Sequence, residues 1–212
     1  MVKNNEALEP ITLSGPVFEG SKTLFEALKS RKTSRNIGAV EIPLQNLADI
    51  LWAAQGVNRS RGPFDLSGRT AGSASNSQEI CVYVALKQAI YRYEPPSHRL
   101  MPVVTGDHRR LAIGSGQSPA GANAPVRLIY VVDLEQFKHS GFEEPGLHDV
   151  EVQKSYYFVD TGLIAQNVYL AAAALGLAAW FHNCDKPALG KVLGLPSTQR
   201  VLFGQTIGYA ED

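Results

Sequence analysis

Three cations and two hydroxyls crowd into five residues at Arg31-Lys32-Thr33-Ser34-Arg35. An arginine guanidinium offers a planar fork of N–H donors to an oxyanion, and a serine or threonine adds a neutral donor at short range. A phosphate ester is the ligand such a set suits. The competing account is a solvated basic helix end, because cations at a helix C-terminus oppose its dipole. The pentad alone does not separate the two. Twenty basic residues balance twenty acidic ones, so any anion site is local and nothing draws the whole molecule to nucleic acid.

Two other stretches hold chemistry-bearing side chains. Ser73-Ala74-Ser75-Asn76-Ser77-Gln78 gathers small hydroxyls and amides without charge. Such a loop can hydrogen-bond the rim of a planar heterocycle, or be an ordinary serine-rich connection. His182 ends the apolar run Trp180-Phe181-His182-Asn183, where side chains and backbone amides often meet ligands. A satisfied core or edge histidine is the plainer account of it.

Other motifs are missing. Gly114-Ser115-Gly116 continues as Gln117-Ser118-Pro119, lacks the third glycine of a dinucleotide fingerprint and follows a helix-like stretch, so a flexible loop is expected. There is no Walker A sequence and no GxSxG. The histidines at 98, 108, 139, 148 and 182 show no metal-ligand spacing, and His139 and His148 are expected to be solvated. Cys81 and Cys184 form no CxxC pattern, which argues against a zinc site or disulfide framework and fits a reducing compartment. No metal is expected.

The elements that must position these residues follow from pattern. Hydrophobic residues make up 44% and charged residues 19%, enough for one soluble core. Residues 1–22 read as an irregular arm and 23–212 as a single domain. Thr23 and Glu26 form a capping-box pair opening a helix with Leu24, Phe25 and Leu28 on one face. Pro43 starts a second helix over 44–54, and 58–77 reads as a long polar loop. Runs at 80–86 and 89–93 predict a hairpin turning near Lys87-Gln88, followed by a strand at 100–104, a short helix at 107–113 and a strand at 126–132. A polar stretch at 136–153 precedes a long helix over 156–175, stopped by Gly176. A strand at 178–181, a helix at 187–193 and a strand at 201–209 complete the chain. Early hairpins with βαβ-like spacing later make the fold class α+β. The uncharged stretch 163–181 contains Gln166, Asn167 and Gly176, so a helix buried in protein explains it better than lipid does. The first ten residues are polar and show no apolar signal segment, from which a cytoplasmic location is expected.

In order along the chain, these motifs resemble the FMN-dependent nitroreductase family. The pentad is similar to its RRSxR signature. Leu51-Trp52-Ala53-Ala54-Gln55-Gly56-Val57-Asn58 resembles the LLWAAQGxN stretch of the SagB-type dehydrogenase subgroup. Arg69-Thr70-Ala71-Gly72-Ser73-Ala74 resembles the RTAPSA that follows there, with glycine replacing proline. Gln78-Glu79-Ile80 stands where the family commonly has Gln and Pro, and Asp160-Thr161-Gly162 with Gln166-Asn167-Val168-Tyr169-Leu170 is similar to its xxGxxxQNLxLAA helix.

The resemblance implies an α/β sandwich with a mostly antiparallel sheet. It further implies a homodimer through long central helices, with FMN at the subunit interface. It places Arg31, Lys32 and Thr33 at the phosphate and Arg35 near N1 and O2 of the flavin ring. There a fixed cation stabilises the negative charge of the reduced ring and raises its potential. Ser73, Ala74, Ser75, Asn76 and Gln78 fall where the partner subunit borders the flavin, and His182 and Asn183 where backbone amides face N5 and O4. Two departures stand out. The Lys-x-Arg pair that many members place on the phosphate near their C-terminus has no counterpart before Asp212, so either the pentad and backbone hold the phosphate alone or FMN binds less tightly. The lysine–tyrosine pair of thiazoline oxidases is not identifiable either, which favours small-molecule reduction. The expected activity is ping-pong reduction of nitroaromatics, quinones or related acceptors with NAD(P)H. The rivals are a dehydrogenase, oxidase or enone reductase on the same fold, and a flavin-binding module without turnover. Nucleic-acid and membrane partners are not expected.

Overall fold

Runs of branched and aromatic residues pair into the sheet that organises the computed structural model, which describes residues 8–17, 19, 22–62, 65–114, 121–140 and 144–211. Along the chain come β1 (Ile11–Thr12), α1 (Leu24–Ser30), α2 (Leu44–Gln55), a ribbon of β2 (Val57–Arg59) and β3 (Gly68–Arg69), β4 (Ile80–Ala85), β5 (Ala89–Glu94), β6 (Arg99–Thr105), β7 (Val126–Asp133), α3 (Val150–Ala174), β8 (Ala178–His182), α4 (Lys186–Leu193) and β9 (Gln199–Gly208). Seven strands form one sheet in the order β1-β6-β5-β4-β7-β9-β8, and every neighbouring pair is antiparallel. The fold class is α+β, as the sequence predicts.

Strand β7 shows how the core is divided. Successive side chains of a strand point to opposite faces. Val126, Leu128, Tyr130 and Val132 enter the cluster built with Leu47 and Ile50 of α2 and Ile164 and Val168 of α3. Ile129 and Val131 enter the second cluster with Leu189 and Leu193 of α4. Both faces are therefore covered, and a fully buried branched side chain contributes roughly 1.5–3 kcal/mol.

Several boundaries move for local reasons. Helix α3 starts at Val150 rather than at 156, because the Asp149 carboxylate caps the Glu151 and Val152 amides at 2.8 and 3.1 Å. Gly176 has φ +72° and ends it as predicted. The stretch 58–77 is not a plain loop: it holds the β2–β3 ribbon and a 3₁₀ turn at Ala74–Asn76. The short helix predicted at 107–113 is a 3₁₀ turn, Arg109–Ala112. The βαβ-like spacing gives no parallel neighbours, because β7 and β8 flank β9 on opposite sides and each pairs with it antiparallel. The uncharged stretch 163–181 is a helix end plus β8.

The capping box of α1 forms, with the Thr23 amide donating to Glu26 Oε2 at 2.8 Å and the Glu26 amide to Thr23 Oγ1 at 3.3 Å. Its apolar side chains Leu24, Phe25 and Leu28 are exposed, however, and Ala27 is the buried one. Part of the arm, Ile11–Thr12, extends the sheet beside β6. The predicted flexible loop from Ser115 to Pro119 lies outside the described residues, as do residues 1–7. Among the described residues no helix is long and apolar enough to cross a membrane.

Candidate functional site

The pentad is not the last turn of a helix. The Ser30 hydroxyl bonds back to the Glu26 carbonyl at 2.9 Å, and Arg31 leaves α1 at φ −59°, ψ 121°. The chain then runs beside β8, the edge strand of the sheet. Thr33 makes a parallel bridge with Ala179, and the Ser34 amide donates to the Ala179 carbonyl at 3.0 Å. An edge strand presents unpaired backbone groups, and the pentad covers these.

Two aromatic residues fix the pentad's side chains. Tyr169 of α3 accepts the Phe181 amide of β8 at 2.8 Å and meets Thr33 Oγ1 at 3.2 Å. The Arg31 guanidinium lies 5.6 Å from the centroid of the same ring. Further along, Arg35 sits 5.9 Å from the centroid of Trp180. Each is at cation–π distance. Lys32 and Ser34 line a cleft of about 180 Å³ together with Lys22, Tyr169, Ala178 and Ala210. The pentad thus spreads its cations along the sheet edge, with Thr33, Lys32 and Arg35 exposed and Arg31 half-buried.

The second candidate stretch is a strained turn. Ser75, Asn76 and Gln78 have φ of +49°, +54° and +52°, where a non-glycine residue costs about 1–2 kcal/mol. Such strain persists only where surroundings hold it, and here the anchors are polar. The Ala74 amide donates to Asp160 Oδ2 (2.9 Å), the Ser75 hydroxyl to Glu144 Oε2 (3.0 Å) and the Ser77 hydroxyl to Glu79 Oε2 (2.7 Å). The Gln78 amide donates to Ser73 Oγ at 3.1 Å, its side chain to Ser67 O and Asn76 Oδ1, and Arg69 Nε to Gln78 Oε1. Asn76 Nδ2 is buried and meets no acceptor among the described residues.

The His182 ring packs on Trp180, the ring that Arg35 lies over, with centroids 4.6 Å apart. Its Nδ1 contacts the Asn183 carbonyl at 2.8 Å and its Nε2 the Thr206 hydroxyl at 2.7 Å, to which Arg127 Nη1 donates at 2.6 Å. A carbonyl only accepts, so the proton sits on Nδ1, and Nε2 takes the Thr206 hydrogen. Burial pushes the imidazole down to about 4, which keeps it neutral. The side chain is the satisfied core histidine of the plainer account. Its backbone and Asn183, which is exposed, close β8. His139 and His148 are exposed, as expected.

Within one chain the structure groups Arg31, Thr33, Arg35, His182 and Asn183 around β8, and residues 73–78 elsewhere. Asp160 holds the turn and Tyr169 holds the pentad, and nine residues of α3 space them by about 13 Å. Tyr169, Trp180, Glu79 and Asp160 are the supports that sequence reasoning missed. A carboxylate on the apolar side of α3, and another at the head of an apolar strand, were the available signals. Among the described residues no three His, Cys, Asp or Glu side chains gather as a metal would require.

An antiparallel sheet between two helix layers, with a basic segment on its edge, defines an α+β protein of nitroreductase fold. The nitroreductase family model matches residues 28–209. A protein of Methanocaldococcus jannaschii assigned as a nitroreductase is 27% identical over 165 residues, spanning 73% of this chain and 75% of its own. A crystal structure from Ralstonia eutropha JMP134, also assigned as a nitroreductase, aligns with a TM-score of 0.82 at 30% identity, over 96% of this chain and 90% of that one. The NADPH:FMN oxidoreductase of Vibrio harveyi, solved with NAD+, shares the fold at a TM-score of 0.60 and 23% identity, over 89% and 69% of the two chains. The chain belongs to the nitroreductase family and is an oxidoreductase of that family.

Proposed function

We propose that this protein is an FMN-dependent oxidoreductase that uses NAD(P)H to reduce nitroaromatic, quinone or related electron-poor acceptors by ping-pong hydride transfer. The observation that carries the reading is the course of the pentad along the edge of β8. It sets Arg31 and Thr33 against Tyr169 and Arg35 against Trp180, at two different points of one edge, which supports a ligand with a phosphate at one end and a ring at the other. Arg31, Lys32 and Thr33 would take the phosphate, Arg35 the N1–O2 side of the ring, and the backbone at His182 and Asn183 the opposite side. Asn76 fits the same group, because its buried Nδ2 is a donor in want of an acceptor. Bound there, FMN would supply two-electron hydride chemistry, so the protein needs no nucleophile of its own. The name of the Vibrio harveyi neighbour, an NADPH:FMN oxidoreductase, supports the choice of both cofactors.

The family resemblance places residues 73–78 beside the cofactor of a second copy of the chain. The exposed apolar side chains of α1 (Leu24, Phe25, Leu28) and α3 (Val159, Leu163) favour such a homodimer, and Phe25 is 81% exposed. The stretch 51–58 supports a place beside the SagB-type dehydrogenases, and residues 23–212 would form the single FMN-binding domain. Purified protein should run as a yellow dimer absorbing in the visible and oxidise NADH or NADPH when given a nitroaromatic or quinone. A colourless protein that does not take up FMN sinks the reading. A yellow dimer inert to every acceptor indicates a binding module instead.

A further inference from the structure

Two buried carboxyls lie beneath the turn and have no part in the function proposed above. Glu79 precedes β4 and is 0% exposed, and Asp160 on the inner side of α3 is 4% exposed. Each holds one end of the turn: Asp160 through the Ala74 amide and Glu79 through the Ser77 hydroxyl. Both line one small cavity with Arg69, Gly72 and Ser73. Glu79 Oε1 is buried there and meets no donor among the described residues. A buried carboxylate oxygen without a donor beside a second carboxylate is penalised, and a proton between the two removes the repulsion and fills the missing bond.

We propose that Glu79 and Asp160 share one proton and act as the positioning pair that sets residues 73–78 for the cofactor. The proposal rests on the FMN reading only for what the turn faces. The proton sharing and the clamping of the turn do not depend on it.

The groups around the pair leave the proton in place. Arg69 of β3 shares the cavity; its Nε donates to Gln78 Oε1 at 2.7 Å and its buried Nη1 meets no acceptor, and among the described residues it forms no ion pair with either carboxyl. Tyr156 of α3 donates its hydroxyl to Glu144 at 2.6 Å, and Glu144 takes the Ser75 hydroxyl, so this carboxylate adds charge on the far side of the turn. Cys81 follows along β4 with its thiol pushed up to about 11 by burial, and Asp133 of β7 meets Glu79 through backbone only. Burial first, and the Asp160 charge second, push Glu79 up to about 8. Its folded value then lies above its unfolded one. The stabilising proton is in place at low pH and is lost as pH rises through about 8.

The test follows two quantities from pH 6 to 9.5: the thermal midpoint of the FMN-free protein, and FMN affinity by quenching of flavin fluorescence. Wild type should lose roughly 5–10 °C across the range, and FMN should bind at least ~10-fold more weakly at its upper end. Glu79→Gln keeps a fixed N–H toward Asp160 at every pH, so both profiles should become flat. Asp160→Asn, which removes the opposing charge, should flatten the same alkaline limb if the glutamine variant folds poorly. A wild-type midpoint that does not move, or a Glu79→Gln profile identical to wild type, overturns the shared proton. A thermal limb that Glu79→Gln abolishes while FMN affinity ignores pH overturns the positioning role. If wild type binds no FMN at any pH the function proposed above fails, and the thermal limb still reports on the shared proton.

Discussion

The pentad keeps its cations hydrated or half-buried and steadies them with two aromatic faces and one hydroxyl. The turn at residues 73–78 is clamped from beneath by buried carboxyls. The contrast follows from what each stretch asks of its backbone. The pentad lies along a strand edge in ordinary conformation, so its side chains are not needed to hold its backbone and, under the proposed function, are free to meet an anion. The turn holds three non-glycine residues in the left-handed region, and only buried polar contacts keep it there. Under the proposed function, binding and stability are separable at the first place and fused at the second. Mutations at the pentad should therefore change ligand affinity while the fold endures, and mutations under the turn should change both.

The largest effect is expected where the two are fused. Asp160→Ala strands the Ala74 amide and removes one half of the acid pair, with a loss of about 3 kcal/mol in unfolding free energy and weakened FMN binding. Urea unfolding beside an FMN titration checks this, and a variant as stable as wild type breaks the contrast. Next comes Arg31→Ala. A lost charge-assisted bond to phosphate weakens FMN by about 10- to 100-fold, roughly 1.5–3 kcal/mol, while unfolding shifts by less than about 1 kcal/mol. Equal losses in both readouts would place Arg31 with the structural residues.

How far the sequence reached differs between the two regions for the same physical reason. The pentad stood out because its charge is local: five consecutive residues carry it. The capping box at Thr23 and Glu26, the hairpin at Lys87-Gln88 and the stop at Gly176 were visible for that reason too. The supports were not, because they act across the chain. Tyr169 reaches Thr33 over 136 positions, and Asp160 reaches Ala74 over 86. Glu79 reads in sequence as an ordinary polar residue ahead of an apolar strand, and only the packing of α3 against β4 makes it one of a pair. The start of α3 was misplaced because the Asp149 cap, and not apolar spacing, decides it. The late strands pair antiparallel because β9 inserts between β7 and β8, a choice that spacing along the chain does not encode.

A smaller effect tests the proposed division within the pentad. If Arg35 stands by the ring rather than the phosphate, Arg35→Ala should leave FMN occupancy nearly intact and lower the flavin midpoint potential by about 30 mV, which is ~1.4 kcal/mol for two electrons. Arg35→Lys should recover most of it, since a cation remains. Redox titration with a reference dye measures the shift. A drop in occupancy with unchanged potential would instead place Arg35 with Arg31 at the phosphate.

The smallest expected change lies at Tyr169, where the two kinds of design touch. Its ring carries Arg31, and its hydroxyl ties Thr33 to the Phe181 amide. Tyr169→Phe keeps the ring, so the cation–π contact survives, but it leaves the Phe181 amide without its acceptor. One neutral hydrogen bond is worth about 1 kcal/mol, and the loss should appear in urea unfolding. FMN affinity should fall by no more than about threefold, because Arg31 keeps its place and Thr33 keeps its backbone bridge to Ala179. If Tyr169→Phe instead weakens FMN as much as Arg31→Ala does, the tyrosine hydroxyl sets the pentad's geometry. The pentad would then depend on buried support as the turn does, and the separation of binding from stability would hold nowhere in the site.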